Sequence, residues 1–114
     1  MFNRVLVANR GAVAARIIRA LRQHRVRSVA VYSEADAGAP YLAEGDQAFP
    51  IGPSPARESY LDQDALMRAL ADSGADGVHP GYGFLAESAA FAQRVVDAGI
   101  GFIGPSPKWL AAMG

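Results

Sequence analysis

Arg4 to Leu21 reads RVLVANRGAVAARIIRAL, and the change of period inside this stretch decides the fold. Arg4 to Ala8 is a short aliphatic, partly β-branched run, the composition of a buried strand. It ends at Asn9-Arg10-Gly11. From Ala12 onward the apolar residues Val13, Ile17, Ile18 and Leu21 recur at steps of three and four. Arg16, Arg19, Arg22 and Gln23 fall largely on another face, as an amphipathic helix requires. Strand gives way to helix.

The same alternation continues outward. SVAVYS, 28–33, reads as a second buried strand, and AFPIG, 48–52, as a third, with Pro50 favouring a sheet edge because proline cannot donate to a ladder. Between them, Ala35 to Glu44 has no clean period. GPSPARES, 52–59, is a proline-punctuated surface loop. Leu61 to Ser73 has helical spacing at Leu61, Ala65, Leu66 and Leu70, with Asp62 or Asp64 suited to the first turn and Gly74 to the C-cap. ADGVH, 75–79, is a fourth strand. A helix follows in ESAAFAQRVVDAG, 87–99, with Glu87 or Ser88 as cap, Phe91, Val95 and Ala98 on one face, and Gly99 as the stop. IGFIG, 100–104, is a fifth strand, and PSPKWLAAMG opens one more helix with Ser106 as N-cap and Pro107 at its first position. This order predicts an α/β fold: a Rossmann-like parallel sheet of about five strands with helices on both faces.

Composition bounds the function. With 114 residues, about half of them apolar, the chain has the size of one domain. Eleven acidic and eleven basic residues cancel, so no electrostatic footprint points to nucleic acid or to an anionic membrane, and neither is expected as a partner. No cysteine is present, which removes disulfides, thiolate zinc sites and a Cys nucleophile. The apolar runs fall well short of the roughly 20 residues a membrane helix requires, and MFNRVLVANRG carries charges where a signal peptide would be apolar. A cytoplasmic, unprocessed domain is expected. The chain stops on a short helix with no linker behind it, the look of a piece of something longer.

Ligands of doubly wound sheets bind beyond the carboxyl ends of the strands. Three loops fall there: Asn9-Arg10-Gly11, Ser33 to Asp36, and HPGYGFLAE, His79 to Glu87. GYGFLA matches G-x-G-x-x-A with Gly81, Gly83 and Ala86, but it does not follow the first strand, and no acid lies at the required distance beyond it, so a dinucleotide site is not expected. Asp36 is either a contact at a strand end or a turn or cap residue. No phosphate-binding P-loop, H-x-x-x-H, paired carboxylates or G-x-S-x-G occurs, so neither catalytic residues nor a metal site are expected. His24, at a basic helix end, reads as solvated; His79 either holds the loop through a hydrogen bond or takes part in catalysis. His79, Pro80, Gly81 and Phe84 are read as shaping the loop, with Tyr82 presented between two glycines that permit close backbone approach. On residue chemistry alone, a structural turn and a ligand contact both stay open.

Taken together, RVLVANRGAVAARIIRAL, SVAVYSEAD, IGPSPARESYL, HPGYGFLAESAAFA and GIGFIGPSP resemble the N-terminal, pre-ATP-grasp domain of biotin carboxylase, over essentially the whole chain. The resemblance implies a complete enzyme, an ATP-dependent ligase forming a carbon-nitrogen bond, that carboxylates carrier-bound biotin with MgATP and bicarbonate. It implies as partners a downstream ATP-grasp domain, a C-terminal domain, and biotin carboxyl carrier and carboxyltransferase portions. Most catalytic groups would lie in those other domains, so this fragment is expected to be inactive alone and to bind neither ATP, Mg2+ nor biotin tightly. Tyr82 and Gly83 match positions that line the biotin pocket in the family, and the first helix of similar enzymes lies at a homodimer interface, which makes Arg16 and Arg19 interface candidates, a solvated basic face being the other reading. Two departures stand out: Ala12 replaces the usual acid after A-N-R-G, and Tyr41 to Ala48 differs from the common H-x-x-x-A-D-E-A. ANRGA with AVYSEADA looks more like urea carboxylase and urea amidolyase sequences than like acetyl-CoA or pyruvate carboxylases. The competing reading from another class is a stand-alone Rossmann-like module for a small ligand or an interaction partner.

Overall fold

In the computed structural model, which describes residues 2–104, five strands form one sheet. They are β1 (Arg4–Val7), β2 (Arg27–Ser33), β3 (Gln47–Gly52), β4 (Gly77–His79) and β5 (Gly101–Phe102). The order is β3-β2-β1-β4-β5 and every pair is parallel. β3 pairs only with β2, which explains how it tolerates Pro50. The helices are α1 (Gly11–Gln23), α2 (Pro40–Glu44), α3 (Gln63–Ser73) and α4 (Ala89–Asp97).

Helices cover both faces because successive strand side chains point opposite ways. Leu6, Val29, Val31 and Val78 pack against Leu66 and Leu70 of α3 and against Phe91 and Val95 of α4. Val7 and Ala30 meet Ala14, Ala15 and Ile18 of α1 and Tyr41 of α2. Complete burial of a side chain such as Phe91 contributes about 1.5 to 3 kcal/mol. Terminal side chains set the helix limits: Asp62 Oδ1 accepts from Ala65 N at 3.2 Å, Ser88 Oγ accepts from Phe91 N at 3.1 Å, and Gly74 closes α3 at φ 70°.

Three details differ from the sequence expectation. Along α1 the sheet contact is made by Ala14, Ala15 and Ile18, whereas Val13, Ile17 and Leu21 are only half-buried; the small alanines let the helix lie close to the sheet, and the larger residues fall to its flank. Ala98 is exposed, because α4 stops at Asp97 and Phe91, Ala92 and Val95 form its buried stripe. The aperiodic stretch contains α2, which starts at Pro40 and is pinned by the buried Tyr41. The helix expected beyond Pro105 lies outside the described residues. Among the described residues no helix is long and apolar enough to cross a membrane.

From β1 the chain runs to β2 and β3 on one side, and from β4 to β5 on the other. The direction of winding therefore reverses between β1 and β4, where the outgoing connections diverge and open a crevice.

Candidate functional site at the sheet reversal

At that reversal the turn after β1 and the loop after β4 are tied together. Ala8 N donates to His79 O at 3.0 Å, extending the pairing by one residue. Asn9 follows and is 2% exposed. Its Nδ2 donates to Pro80 O at 2.8 Å and to Tyr82 O at 2.7 Å, while its Oδ1 accepts from Arg10 N at 2.9 Å. Gly81 lies between the two clamped carbonyls at φ +66°, and a Cβ there would come within 2.8 Å of Val13 Cγ1 and 3.0 Å of Asn9 Nδ2. Only glycine satisfies both the backbone angle and the space.

His79 Nδ1 accepts from Gly81 N at 3.1 Å, which requires a neutral ring with its proton on Nε2. Burial lowers the His79 pKa and so favours that neutral form. At the far end of the loop, Gly83 (φ 69°, ψ −166°) occupies a region essentially reserved for glycine. Phe84 then stacks on Tyr60 at 5.2 Å between ring centroids. The result is a loop whose backbone is held at Pro80, Gly81 and Tyr82, and whose end is anchored by the Phe84 ring, while Tyr82 is 76% exposed. Beside Gly83 a Cβ would meet nothing within 4 Å, so the backbone there faces open space.

A second network lies on the β2 side. Arg10 Nε donates to Asp36 Oδ2 at 2.6 Å, and its Nη2 binds Asp36 Oδ1, a bidentate pair. Tyr60 Oη donates to Asp36 Oδ2 at 2.6 Å, accepts from Ser33 N at 3.1 Å, and lies 3.1 Å from Tyr41 Oη, which donates to Val31 O at 2.8 Å. The Arg10 guanidinium holds the Asp36 carboxyl below the usual carboxylate range, outweighing the burial that would raise it, and the Tyr60 hydroxyl acts in the same direction. Burial pushes both tyrosine hydroxyls up, so they serve as neutral donors.

All three strand-end loops singled out in the sequence thus meet at one end of the sheet. His79, Pro80, Gly81, Tyr82, Gly83 and Phe84 form one continuous loop. Arg16 is apart from them along α1 but shares with His79, Gly81 and Tyr82 a cleft of about 340 Å³, floored by Val13, Ile17 and Leu21. Arg19 points elsewhere, donating to Glu44 of α2 at 2.8 and 3.1 Å. With Ala12 in place of an acid, α1 has no acid in its first turn, and its N-cap residue Arg10 makes no side-chain capping bond. A turn of 3₁₀ helix, Phe84–Glu87, separates the glycines from α4; the loop amides therefore do not open directly into a helix, as a dinucleotide fingerprint needs. Among the described residues no group of three His, Asp or Glu side chains converges as a metal site.

Sequence reasoning missed Asn9 as a clamp and Tyr41 and Tyr60 altogether. For Asn9 the available signal was position, as the polar residue that follows the first apolar run and so lies at the ligand end of such a sheet; Tyr41 and Tyr60 carried no such signal.

Residues 1–110 match the family model for the biotin carboxylase N-terminal domain. The chain is 55% identical over 111 residues to the biotin-dependent acyl-coenzyme A carboxylase alpha3 subunit of Mycobacterium leprae, covering 97% of this chain and 19% of that one. Among solved structures it is similar to the K. lactis urea amidolyase (TM-score 0.97, 39% identity, 99% of this chain, 7% of that one). It is also similar to the biotin carboxylase domain dimer of the Hydrogenobacter thermophilus 2-oxoglutarate carboxylase, in complex with MgADP, ADP and bicarbonate (TM-score 0.94, 42% identity, 100% of this chain, 25% of that one). The chain spans 15 to 25% of the length of the first curated relatives it matches.

Proposed function

The chain belongs to the biotin carboxylase N-terminal domain family, and from that premise we propose that it forms one wall of the biotin site in a complete, ATP-dependent carboxylase. In that enzyme, carrier-bound biotin is carboxylated using MgATP and bicarbonate, and this domain alone is inactive. The observation that carries the reading is the glycine loop: its backbone is anchored at the sheet reversal, Tyr82 is exposed, and the space beside Gly83 is open. An exposed aromatic face with a polar hydroxyl suits the planar, uncharged ureido ring of biotin. Nucleotide and metal would be held by other parts of the enzyme. The domain's own task is to bind and orient.

Arg16 and Arg19 are proposed interface residues of a homodimer. Arg16 is exposed and supports this more directly than Arg19, whose guanidinium is engaged by Glu44. The proposed partners are an ATP-grasp domain, a biotin carrier and a carboxyltransferase, in a cytoplasmic setting. For the acceptor we favour urea, on the superposition with the K. lactis urea amidolyase. The identity to the acyl-coenzyme A carboxylase subunit supports the other acceptor class, and expression of the complete enzyme with urea or acyl-CoA as acceptor separates them. The biotin reading is tested by Tyr82→Ala in the complete enzyme. The Michaelis constant for biotin should rise by about tenfold with that for ATP little changed. An unaltered biotin constant removes Tyr82 from the site.

A further inference from the structure

We propose that Asn9 is a positioning residue that sets where Tyr82 stands, an inference that rests on the biotin reading of the loop. The Asn9 side chain is 2% exposed, and its polar atoms all have partners. The two amide hydrogens go to Pro80 O and Tyr82 O, the carbonyls flanking Gly81. The amide oxygen takes Arg10 N. This is the complete strong hydrogen-bonding inventory of one NH2 with one acceptor bond added.

The arrangement is selective for asparagine. An aspartate has the same shape but turns a carboxylate oxygen toward two carbonyl oxygens. An alanine leaves both carbonyls without their donor. The clamp also accounts for Gly81, since a Cβ there would press to within 3.0 Å of Asn9 Nδ2. Because Tyr82 is held at its carbonyl and released at its side chain, displacement of that carbonyl moves the ring without unpacking any core residue. Asn9 itself does not project into the cleft, so its influence on a ligand passes through the loop backbone.

The test uses the complete enzyme with Asn9→Ala, Tyr82→Ala and the double variant. For Asn9→Ala the biotin constant should rise because the Tyr82 ring is displaced, by no more than the about tenfold expected for Tyr82→Ala, with the ATP constant within about twofold. If Asn9 acts through Tyr82, the double variant is no worse toward biotin than Tyr82→Ala alone; full additivity overturns the proposal. Amide exchange gives a readout that does not depend on biotin. The Gly81 amide, which donates to His79 Nδ1, should exchange about tenfold faster in Asn9→Ala while the β2 amides keep their rates. An unchanged loop, or equal acceleration in β2, overturns the positioning role. Asn9→Asp gives the same readings should Asn9→Ala fail to fold. Were Tyr82→Ala to leave the biotin constant unaltered, the biotin reading would fall, and exchange would still decide whether Asn9 holds the loop.

Discussion

The two loops beside the sheet reversal are held by opposite means. On the β2 side, Asp36, Tyr60 and Tyr41 are buried and bonded side chain to side chain, with Arg10 closing the network from its half-exposed position. On the β4 side the anchors grip the main chain: Asn9 on two carbonyls and His79 on one amide, leaving the Tyr82 side chain free. The first arrangement makes a rigid abutment. The second fixes the base of a side chain while leaving its ring available, as a group that must meet a ligand requires. The two are joined, because Phe84 at the end of the glycine loop stacks on Tyr60 of the network.

Substitutions can break this contrast in graded ways. Tyr60→Ala should be the most damaging, removing a ring that is 2% exposed, its stack with Phe84 and the hydroxyl shared by Asp36 and Tyr41. A loss of about 3 to 5 kcal/mol is expected from denaturant unfolding. Next comes Gly81→Ala, at about 2 to 5 kcal/mol, where an unfavourable φ adds to overpacking against Val13. Gly83→Ala meets no neighbour and should cost only the backbone strain, about 1 to 3 kcal/mol. Equal losses at the two glycines would erase the distinction between a clamped and an open position.

A smaller effect is expected from pH. Burial depresses the His79 pKa in the folded state, so over the window below about 6.5, the ordinary histidine value, the unfolded chain binds the extra proton. Stability is then complete above that value and falls as pH drops through it. Thermal unfolding of the intact protein against pH, with His79→Gln as the control, should show this loss only when His79 is present. Tyr82→Ala should have the least effect on stability, within about 0.5 kcal/mol, because the side chain is 76% exposed, although it is the substitution aimed most directly at biotin.

Much of this was legible in the residues. Strand and helix alternate in period from Arg4 onward, Pro50 marks an edge strand, and Asp62, Gly74 and Ser88 limit their helices as short-range chemistry dictates. α2 was not legible, since five residues are too few to show a period and Tyr41 needs the Val31 carbonyl and Tyr60 to explain its burial. Nor was the narrow contact of α1, because periodicity shows an apolar stripe without showing which part of it meets the sheet.

By itself, then, the sequence determined the five strands and the three longer helices, the parallel α/β class, the three strand-end loops and, through a resemblance spread over the whole chain, the family. Those depend on local periodicity, on caps within four residues, or on motif identity. Tertiary structure alone decided that Asn9 grips carbonyls 71 and 73 residues away and that Arg10 pairs with Asp36 across 26. A hydrogen bond is directional and short-ranged, so it exists only once the sheet has placed the ends of β1, β2 and β4 side by side, and no local pattern in the sequence encodes that meeting.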